Sequence, residues 1–266
     1  MKFSTKNTNK ICRTLFLSLF TTFSVYGPQR SDAASYITVA SADAFVASGP
    51  TGNLRNNNYG GGGALAIGAS GLPNGEFQSV IRFDLSSSRN SLDAQYGAGQ
   101  WSIQGISLQL SSSPHSNAIY NDVSAGRFGI SLMRNNSWVE GTGNASSPSA
   151  AGITFNTLQG NFINPNLDQA LGTFGFDGGT SGLNQYALDT GTGLNSDLLA
   201  GGTVSLRLFA ADSAVNYLFS SRAASSTSTQ PQLVILAVPE PGALALFGFG
   251  FGMLLWCRHR TSRRNY

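Results

Sequence analysis

The body of this chain contains no cysteine and no lysine. The two cysteines of the sequence, Cys12 and Cys257, lie in apolar segments near the two termini. Residues 36–237 therefore cannot form an internal disulfide, a thiolate metal site or a thiol nucleophile. The same residues hold 7 Arg against 11 Asp and Glu, a net charge of −4. This lysine-free, acidic composition argues against nucleic-acid binding, which relies on Lys and Arg to neutralise phosphates.

Histidine is almost as scarce, and this limits the catalytic chemistry that the body can carry. His115 is the one histidine of residues 36–237, and it lies in a Ser-Pro-His-Ser-Asn segment. No Gly-x-Ser-x-Gly elbow precedes a helix, so a serine hydrolase is not indicated. Eleven acidic residues could include a pair for glycoside hydrolysis, but no spacing pairs any two of them. We predict a non-enzymatic protein, with a polysaccharide-active hydrolase or lyase as the alternative.

Residues 1–35 are predicted to be a secretory signal peptide. The apolar run at 15–25 is too short to span a membrane comfortably, and small residues at 31–35 place cleavage after Ala33 or Ser35. The alternative is a retained N-terminal anchor. The basic start of the segment is made of Lys2, Lys6, Lys10 and Arg13.

The C-terminal segment combines a Pro-Glu-Pro tripeptide, an apolar run and a basic tail. Pro239 and Pro241 are expected to end the preceding strand, because proline donates no hydrogen bond. Residues 242–257 carry no charge, and as a helix they would span about 24 Å, short of a ~30 Å hydrocarbon core. We predict one transmembrane helix there and a cytoplasmic tail over 258–266. The stop-transfer arginines of this tail are Arg258, Arg260, Arg263 and Arg264.

The order of these parts resembles the PEP-CTERM sorting signal of Gram-negative bacteria that make extracellular polysaccharide. The residues that carry the resemblance are Val238, Pro239, Glu240 and Pro241. The resemblance implies an exosortase as partner, which recognises the motif in the inner membrane and cleaves near it. The alternative is an ordinary membrane anchor that contains two prolines by chance.

Residues 36–237 consist of short strand-like runs separated by Gly, Ser, Asn and Pro. Alternation of apolar and polar residues predicts strands with one face in a core, as at 80–85, 106–110 and 204–208. Further strands are predicted at 36–39, 44–47, 64–67, 128–133, 185–188 and 232–237. The one helical segment predicted is 196–200, capped by Asn195 or Ser196 and stopped by Gly201. Segments 49–63, 111–125, 141–152 and 161–184 are predicted to be loops. This pattern predicts an all-β fold, a single antiparallel β-sandwich domain that is jelly-roll-like.

Eight segments of the body, taken in order, carry a second resemblance. They are Asp43-Ala44-Phe45-Val46, Asn58-Tyr59-Gly60, Ile81-Arg82-Phe83-Asp84-Leu85, Ser137-Trp138-Val139-Glu140-Gly141, Leu188-Asp189-Thr190, Val204-Ser205-Leu206-Arg207, Phe219-Ser220-Ser221-Arg222 and Pro231-Gln232-Leu233-Val234. With these segments nearly the whole body is similar to the DNRLRE-type β-sandwich domain of secreted bacterial and archaeal proteins. Some members of that family are carbohydrate-binding modules, which implies polysaccharide as a ligand. One departure is Ala223, which stands where an acidic residue usually follows the arginine.

Two kinds of binding site can be proposed from residue chemistry. Sugar rings pack on exposed aromatic faces, so candidate carbohydrate-binding residues are Tyr59, Trp101, Tyr120 and Tyr217, with the amides of 56–58 as polar partners. Trp138 is interpreted as a core residue, and the alternative for each of the four candidates is ordinary packing or a lone surface position. A structural Ca²⁺ would need carboxylates near strand ends, and the candidates are Asp43, Asp84 and Asp189. The alternative for these aspartates is turn capping.

The sequence therefore predicts an exported protein of the cell envelope or extracellular matrix. Signals at both ends imply export, transient anchoring in the inner membrane, and delivery to the cell surface or matrix of a Gram-negative bacterium. The body is expected to bind polysaccharide or to have a structural role in exopolysaccharide or biofilm.

Overall fold

The computed structural model describes residues 33–113, 119–120, 122–224 and 226–240. Several predicted features lie outside these residues: the first 32 residues of the signal peptide, His115, Pro241, the apolar run at 242–257 and the four arginines of the tail. Ala34 and Ser35, assigned to the signal peptide, lie in the first strand of the folded body.

The described residues form eleven strands in two antiparallel sheets, as predicted for an all-β sandwich. The smaller sheet has the order β1-β11-β5-β8, and the larger has β10-β3-β4-β9-β6-β7, with β2 pairing with β4 off that path. The strands are β1 (Ala34–Val39), β2 (Ala42–Ala47), β3 (Ala64–Gly68), β4 (Phe77–Asp84), β5 (Trp101–Ser111), β6 (Gly126–Met133), β7 (Gln169–Phe176), β8 (Leu183–Leu188), β9 (Thr203–Ala210), β10 (Asn216–Ser220) and β11 (Gln232–Pro239).

The main core lies between the two sheets and follows the predicted alternation. On β4, Ile81 and Phe83 face this core, and they meet Leu108 of β5 and Ile235 of β11 from the opposite sheet. Each of these side chains is almost fully buried, which contributes roughly 1.5–3 kcal/mol per residue. The period-2 pattern therefore identified the inner face of the sandwich.

The outer face of the larger sheet is also covered, contrary to the expectation that it meets solvent. Val80 on β4, predicted to point outward, packs in a second cluster with Trp138, Ile153 and Phe155. The covering residues belong to the segment after β6, part of which was predicted to be a free polar loop. Burial on both faces explains why β2 and β4 carry apolar residues at successive positions.

Two longer helices accompany the sheets, and one of them was missed. Helix α1 (Ser86–Tyr96) buries only Ser88 and Leu92, so it carries almost no apolar periodicity. Helix α3 (Thr192–Ala200) begins earlier than the predicted segment and has no side-chain cap at its start. Its end is as predicted, because Gly201 adopts a left-handed conformation with φ 66° that suits glycine. Between them, α2 (Phe155–Thr157) runs on into a π-helical turn (Leu158–Phe162).

Two strands and one strand end also differ from the predictions. Strand β7 lies within the segment predicted to be a Gly/Asn-rich loop, and β10 was not predicted. Strand β11 was predicted to stop at Ala237, but it continues through Val238 to Pro239. Within the described ranges, no helix has the length and apolar character needed to cross a membrane.

Candidate functional site

The first residues of the Pro-Glu-Pro segment are part of the smaller sheet. Val238 lies opposite Ser102 of β5, and Pro239 lies opposite Trp101. The backbone N–H of Glu240 donates a hydrogen bond of 2.8 Å to the carbonyl oxygen of Gln100. We call residues 238–240 the sorting end. Pro239 was expected to terminate the strand, but a proline can occupy a strand position where its missing N–H is not needed.

Pairing on both sides of β11 stops where the sorting end begins. In the described part of the chain, β1 begins at Ala34, which lies opposite Ala237, so Val238 and Pro239 pair with β5 alone. The register also shifts between Leu236 and Ala237, which is a β-bulge or a similar irregularity. Ala237 is fully buried, whereas Val238 and Pro239 are half-buried and Glu240 is exposed. The sorting end is thus a weakly held extension of a strand that is otherwise central.

The part of β5 that receives the sorting end is braced by α1. The indole Nε1–H of Trp101 donates to Asp93 Oδ1 at 2.8 Å, and Asp93 Oδ2 lies 3.4 Å from Arg89 Nε. Trp101 is only 3% exposed and packs in the main core. The opposing strand is therefore anchored more firmly than the sorting end that pairs with it.

A second cluster of polar side chains lies at the edge of the larger sheet. Arg222 joins two carboxylates: its backbone N–H donates to Asp43 Oδ2 at 2.6 Å, and its Nη2 donates to Glu140 Oε2 at 2.5 Å. The backbone N–H of Asp43 donates to Glu140 Oε1 at 3.1 Å. We call Asp43, Asn58, Glu140 and Arg222 the buried polar network.

Asn58 is the fully buried centre of this network. Its Nδ2 donates to the carbonyl oxygens of Glu140 at 2.6 Å and Ile153 at 2.7 Å. Its Oδ1 accepts from the N–H groups of Gly60 at 3.1 Å and Gly143 at 3.2 Å. One side chain thus satisfies four backbone groups of two loops, and this locks both loops onto the sheet. Asn58 was predicted to be a polar partner for sugar, but it is 0% exposed and its amide is bonded to the two loops.

The environment of Asp43 changes its acidity. Burial raises the pKa of Asp43 to about 7, and the nearby Glu140 adds to this effect while the Arg222 N–H opposes it. Within the described ranges, Asp43 Oδ1 is buried without a hydrogen-bond partner. A carboxyl group that is protonated near neutral pH is a typical general acid. However, Asp43 is 0% exposed, so this group is out of reach of a substrate in the folded protein.

Arg82 of β4 and Trp138 make further polar contacts with each other and with β9. The guanidinium carbon of Arg82 lies 4.7 Å from the centroid of the Trp138 ring, and Arg82 Nη1 donates to the Trp138 carbonyl oxygen at 2.9 Å. The Trp138 indole N–H donates to Ser205 Oγ at 2.9 Å. Trp138 is 1% exposed, so its prediction as a core residue is confirmed.

The aromatic residues predicted to bind carbohydrate do not form a binding surface. All four are almost completely buried and pack in the hydrophobic clusters, so none offers a free face to a sugar ring; they are Tyr59, Trp101, Tyr120 and Tyr217. Tyr59, for example, stacks on Phe45 with ring centroids 4.7 Å apart. Their burial could not be read from the sequence, because it depends on contacts between distant segments. Trp101 and Tyr217 pack in the main core, and Tyr59 and Tyr120 pack in a third cluster.

The aspartates predicted to bind Ca²⁺ are not brought together. Asp84 accepts from the Ser86 N–H at 3.0 Å and Asp189 accepts from the Gly191 N–H at 2.8 Å, so both cap turns. Asp43 belongs to the buried polar network. Over the residues that the structure describes, no group of three or more His, Cys, Asp or Glu side chains could hold a metal ion.

An open groove lies at the end of β7 and the start of β8, mostly in the region predicted to be loop. Its volume is about 360 Å³, and it is lined by Gly175, Phe176, Asp177, Asn184 and Tyr186. Asn184 Nδ2 donates to Ser112 Oγ at 2.7 Å, which fixes the amide at the groove wall. Burial raises the pKa of Tyr186, so its phenol stays a hydrogen-bond donor. The alternation of Phe174 and Phe176 with glycine is a strand pattern that could have identified β7 from the sequence.

Comparison with known proteins finds a family model that matches the sorting end and the residues after it. Residues 237–260 match the PEP-CTERM protein-sorting motif, and the match begins at the last residue of β11 that is paired on both sides. The chain therefore carries the signal of an exported, exosortase-sorted protein, and an exosortase is implied as its processing partner. The motif also implies membrane-anchored sorting followed by delivery to the surface. No curated protein matches the chain.

Proposed function

We propose that this chain is an exosortase substrate whose β-sandwich body is a non-enzymatic component of the cell envelope or the extracellular polysaccharide matrix. The observation that carries this proposal is the direct junction between β11 and the sorting motif. Because the described strand runs into the motif without a linker, the cargo that the exosortase delivers is the folded sandwich itself.

Fractionation of cells that contain the exosortase tests the sorting part of the proposal. Replacing Pro239 and Glu240 by alanine should leave the full-length chain in the membrane fraction, whereas the unchanged chain is processed and released. The matched control is Gln232→Ala, which lies in the same strand but outside the motif. Normal release of the doubly substituted chain would show that the motif does not direct this protein.

Within the matrix, the body is proposed to bind polysaccharide or to serve as a structural component. The groove at β7 and β8 supports binding, since the amide of Asn184 and the carboxylate of Asp177 can hydrogen-bond to sugar hydroxyls. Its volume of about 360 Å³ is at the lower end of small-molecule sites, which favours recognition of one or two sugar units. The body is further proposed to be of the DNRLRE type, because the segments similar to that domain supply all four members of the buried polar network.

A glycan array separates the binding role from the structural one. Binding to an acidic or neutral glycan should be weakened at least tenfold by Asn184→Ala or Asp177→Ala and unchanged by Asp189→Ala, which lies outside the groove. If binding survives both groove substitutions, the binding site lies elsewhere on the protein. The absence of any glycan binding would favour the structural role.

The alternative function, a polysaccharide-active hydrolase or lyase, has one candidate pair of carboxylates, although Asp43 is fully buried. Asp43 and Glu140 are two carboxylates brought together by Arg222, and the raised pKa of Asp43 resembles that of a general acid. A reducing-sugar release assay tests it: activity lost in both Asp43→Asn and Glu140→Gln, with folding retained, would replace the non-enzymatic proposal. We expect no release from any of these chains.

A further inference from the structure

We propose that the folded domain controls access to its own sorting motif. Strand β5 holds residues 238–240, and the exosortase acts only after these residues peel away from β5 while the rest of the sandwich stays folded. The inference rests on the proposed sorting by an exosortase. It assigns to Trp101 and Ser102 a positioning role, because they hold the motif in its closed state.

The hydrogen bonding of the sorting end makes a docked motif a poor substrate. An enzyme that recognises an extended segment generally pairs with its backbone groups and surrounds its side chains. Here the backbone of Val238 is paired with Ser102, and the Glu240 N–H is bonded to the Gln100 carbonyl oxygen. The neighbouring strand thus occupies the same groups that a processing enzyme needs.

The same geometry keeps the opening local. Local opening is easiest where few buried contacts and few backbone hydrogen bonds must be broken. Val238 and Pro239 are half-buried and pair with β5 alone among the described strands, and Pro239 has no N–H to donate. Leu233, Ile235 and Ala237 are fully buried in the main core and pair on both sides. Peeling is therefore expected to stop at Ala237.

The bracing of β5 decides which strand moves. Trp101 is held by the core and by its hydrogen bond to Asp93 on α1, so the end of β5 stays in place. The sorting end has no such bond from its side chains among the described residues. The motif is thus the part that leaves.

A reversible crosslink between the two strands tests the proposal. Val238 and Ser102 lie directly opposite each other, and paired residues of antiparallel strands have Cα atoms about 4.5–5.5 Å apart, within the range that a disulfide spans. The experiment uses the full chain with Cys12 and Cys257 replaced by serine, in membranes that contain the exosortase. The test variant is Ser102→Cys with Val238→Cys. The control is Ser107→Cys with Val234→Cys, a pair in the same two strands but before Ala237.

We expect the oxidised Ser102→Cys/Val238→Cys chain to be processed at least tenfold more slowly than the same chain after reduction. The oxidised control pair should be processed like its reduced form. Processing of the test chain that does not depend on oxidation would overturn the proposal, and equal inhibition by the control pair would show that β11 must leave beyond Ala237. If the cysteine-free parent is not processed at all, the sorting function fails instead of the access control.

A second measurement does not depend on disulfide formation. Inserting Gly-Ser between Ala237 and Val238 moves the motif out of register with Ser102 while β11 keeps its pairing up to Ala237. This insertion should speed processing severalfold, and the same insertion after Gln230, in the connection before β11, should leave the rate unchanged. An unchanged or slower rate for the insertion at Ala237 would mean that pairing with β5 does not limit access.

Discussion

The buried polar network and the sorting end are both held by backbone hydrogen bonds, but the two regions differ in how many partners support each residue. Asn58 alone satisfies four backbone groups from a fully buried position. Glu240 is exposed and makes one backbone bond to Gln100. The network joins loops that are far apart in sequence, whereas the sorting end adds two or three residues to a strand that is already complete.

This difference means that opening the sorting end should cost less free energy than disrupting the buried polar network. Removing the Asn58 side chain leaves buried backbone groups without partners, which is costly. Opening the sorting end returns half-buried residues to water, where their backbone groups find new partners. The body of the sandwich is therefore cross-connected, whereas the sorting end is not.

The largest effect is expected from Asn58→Ala. The substitution removes four hydrogen bonds and leaves the Glu140 and Ile153 carbonyl oxygens buried, so the free energy of unfolding should fall by about 3–5 kcal/mol. Urea unfolding of the purified chain measures this loss. Asn56→Ala is the matched control, since Asn56 is exposed, and it should cost less than about 1 kcal/mol. Similar losses for both variants would show that the network does not stabilise the fold.

Asp43 should make stability depend on pH in an unusual direction. Its pKa is raised from 3.8 to about 7 by burial, so its contribution is fully present below pH 3.8 and is lost as the pH rises through 7. Relative to Asp43→Asn, which cannot ionise, the unchanged protein should lose on the order of 2–4 kcal/mol over this interval.

The control for this pH effect is Asp84→Asn. Hydrogen bonds from Ser86 lower the pKa of Asp84, so its contribution is present above its unfolded pKa and is lost on acidification. Unfolding free energies at pH 4 and pH 8 measure the Asp43 variant, and unfolding free energies at pH 2 and pH 5 measure the Asp84 variant. The same sign for Asp43 and Asp84 would contradict the burial of Asp43 as the dominant cause.

The same tryptophan substitution in each region compares them directly. Trp138→Phe leaves the buried Ser205 hydroxyl without its donor, and Trp101→Phe leaves Asp93 with Arg89 and water. We expect Trp138→Phe to cost about 2 kcal/mol and Trp101→Phe about 1 kcal/mol in unfolding free energy. In addition, only Trp101→Phe should speed amide exchange at Glu240. Faster exchange at Glu240 in the Trp138 variant would show that the two regions are coupled.

The smallest effect is expected at the start of β1. Removing Ala34 and Ser35, as cleavage after Ser35 would do, should change the unfolding free energy by less than about 0.5 kcal/mol, because neither side chain is buried. However, Ala237 then loses its partner on one side, so its amide should exchange faster. Unchanged exchange at Ala237 would show that β1 does not set the boundary of the sorting end.

The sequence predicted the fold more fully than the site, and particular residues show why. Alternation at Ile81 and Phe83 identified a face that packs against the opposite sheet, since this pattern is local. The prediction that the second face of β4 meets solvent was wrong, because Val80 is covered by Trp138 and Ile153. A contact between residues so far apart in sequence leaves no local pattern. Helix α1 was missed for a related reason, since it buries too few apolar residues to show a helical period.

For the site, the sorting motif could be recognised in the sequence, but its pairing with β5 could not. The order of residues 238–241 predicted sorting, whereas the pairing of Val238 with Ser102 depends on a strand that lies more than a hundred residues earlier. Likewise, the segments that contain Asp43, Glu140 and Arg222 were recognised, but their convergence requires the folded sheet. Exposure of the aromatic residues likewise depends on contacts between segments that are distant in sequence.

The position of β11 between β1 and β5 has a mechanical consequence. Force applied to the chain beyond Glu240 first separates the residues that, among the described strands, pair with β5 alone, so few bonds break at a time. It then meets Ala237, where β11 is bonded to a neighbour on each side. From that point two neighbouring strands share the load along their length. In a domain pulled through this end, the last residues would therefore separate first and the core would stay folded.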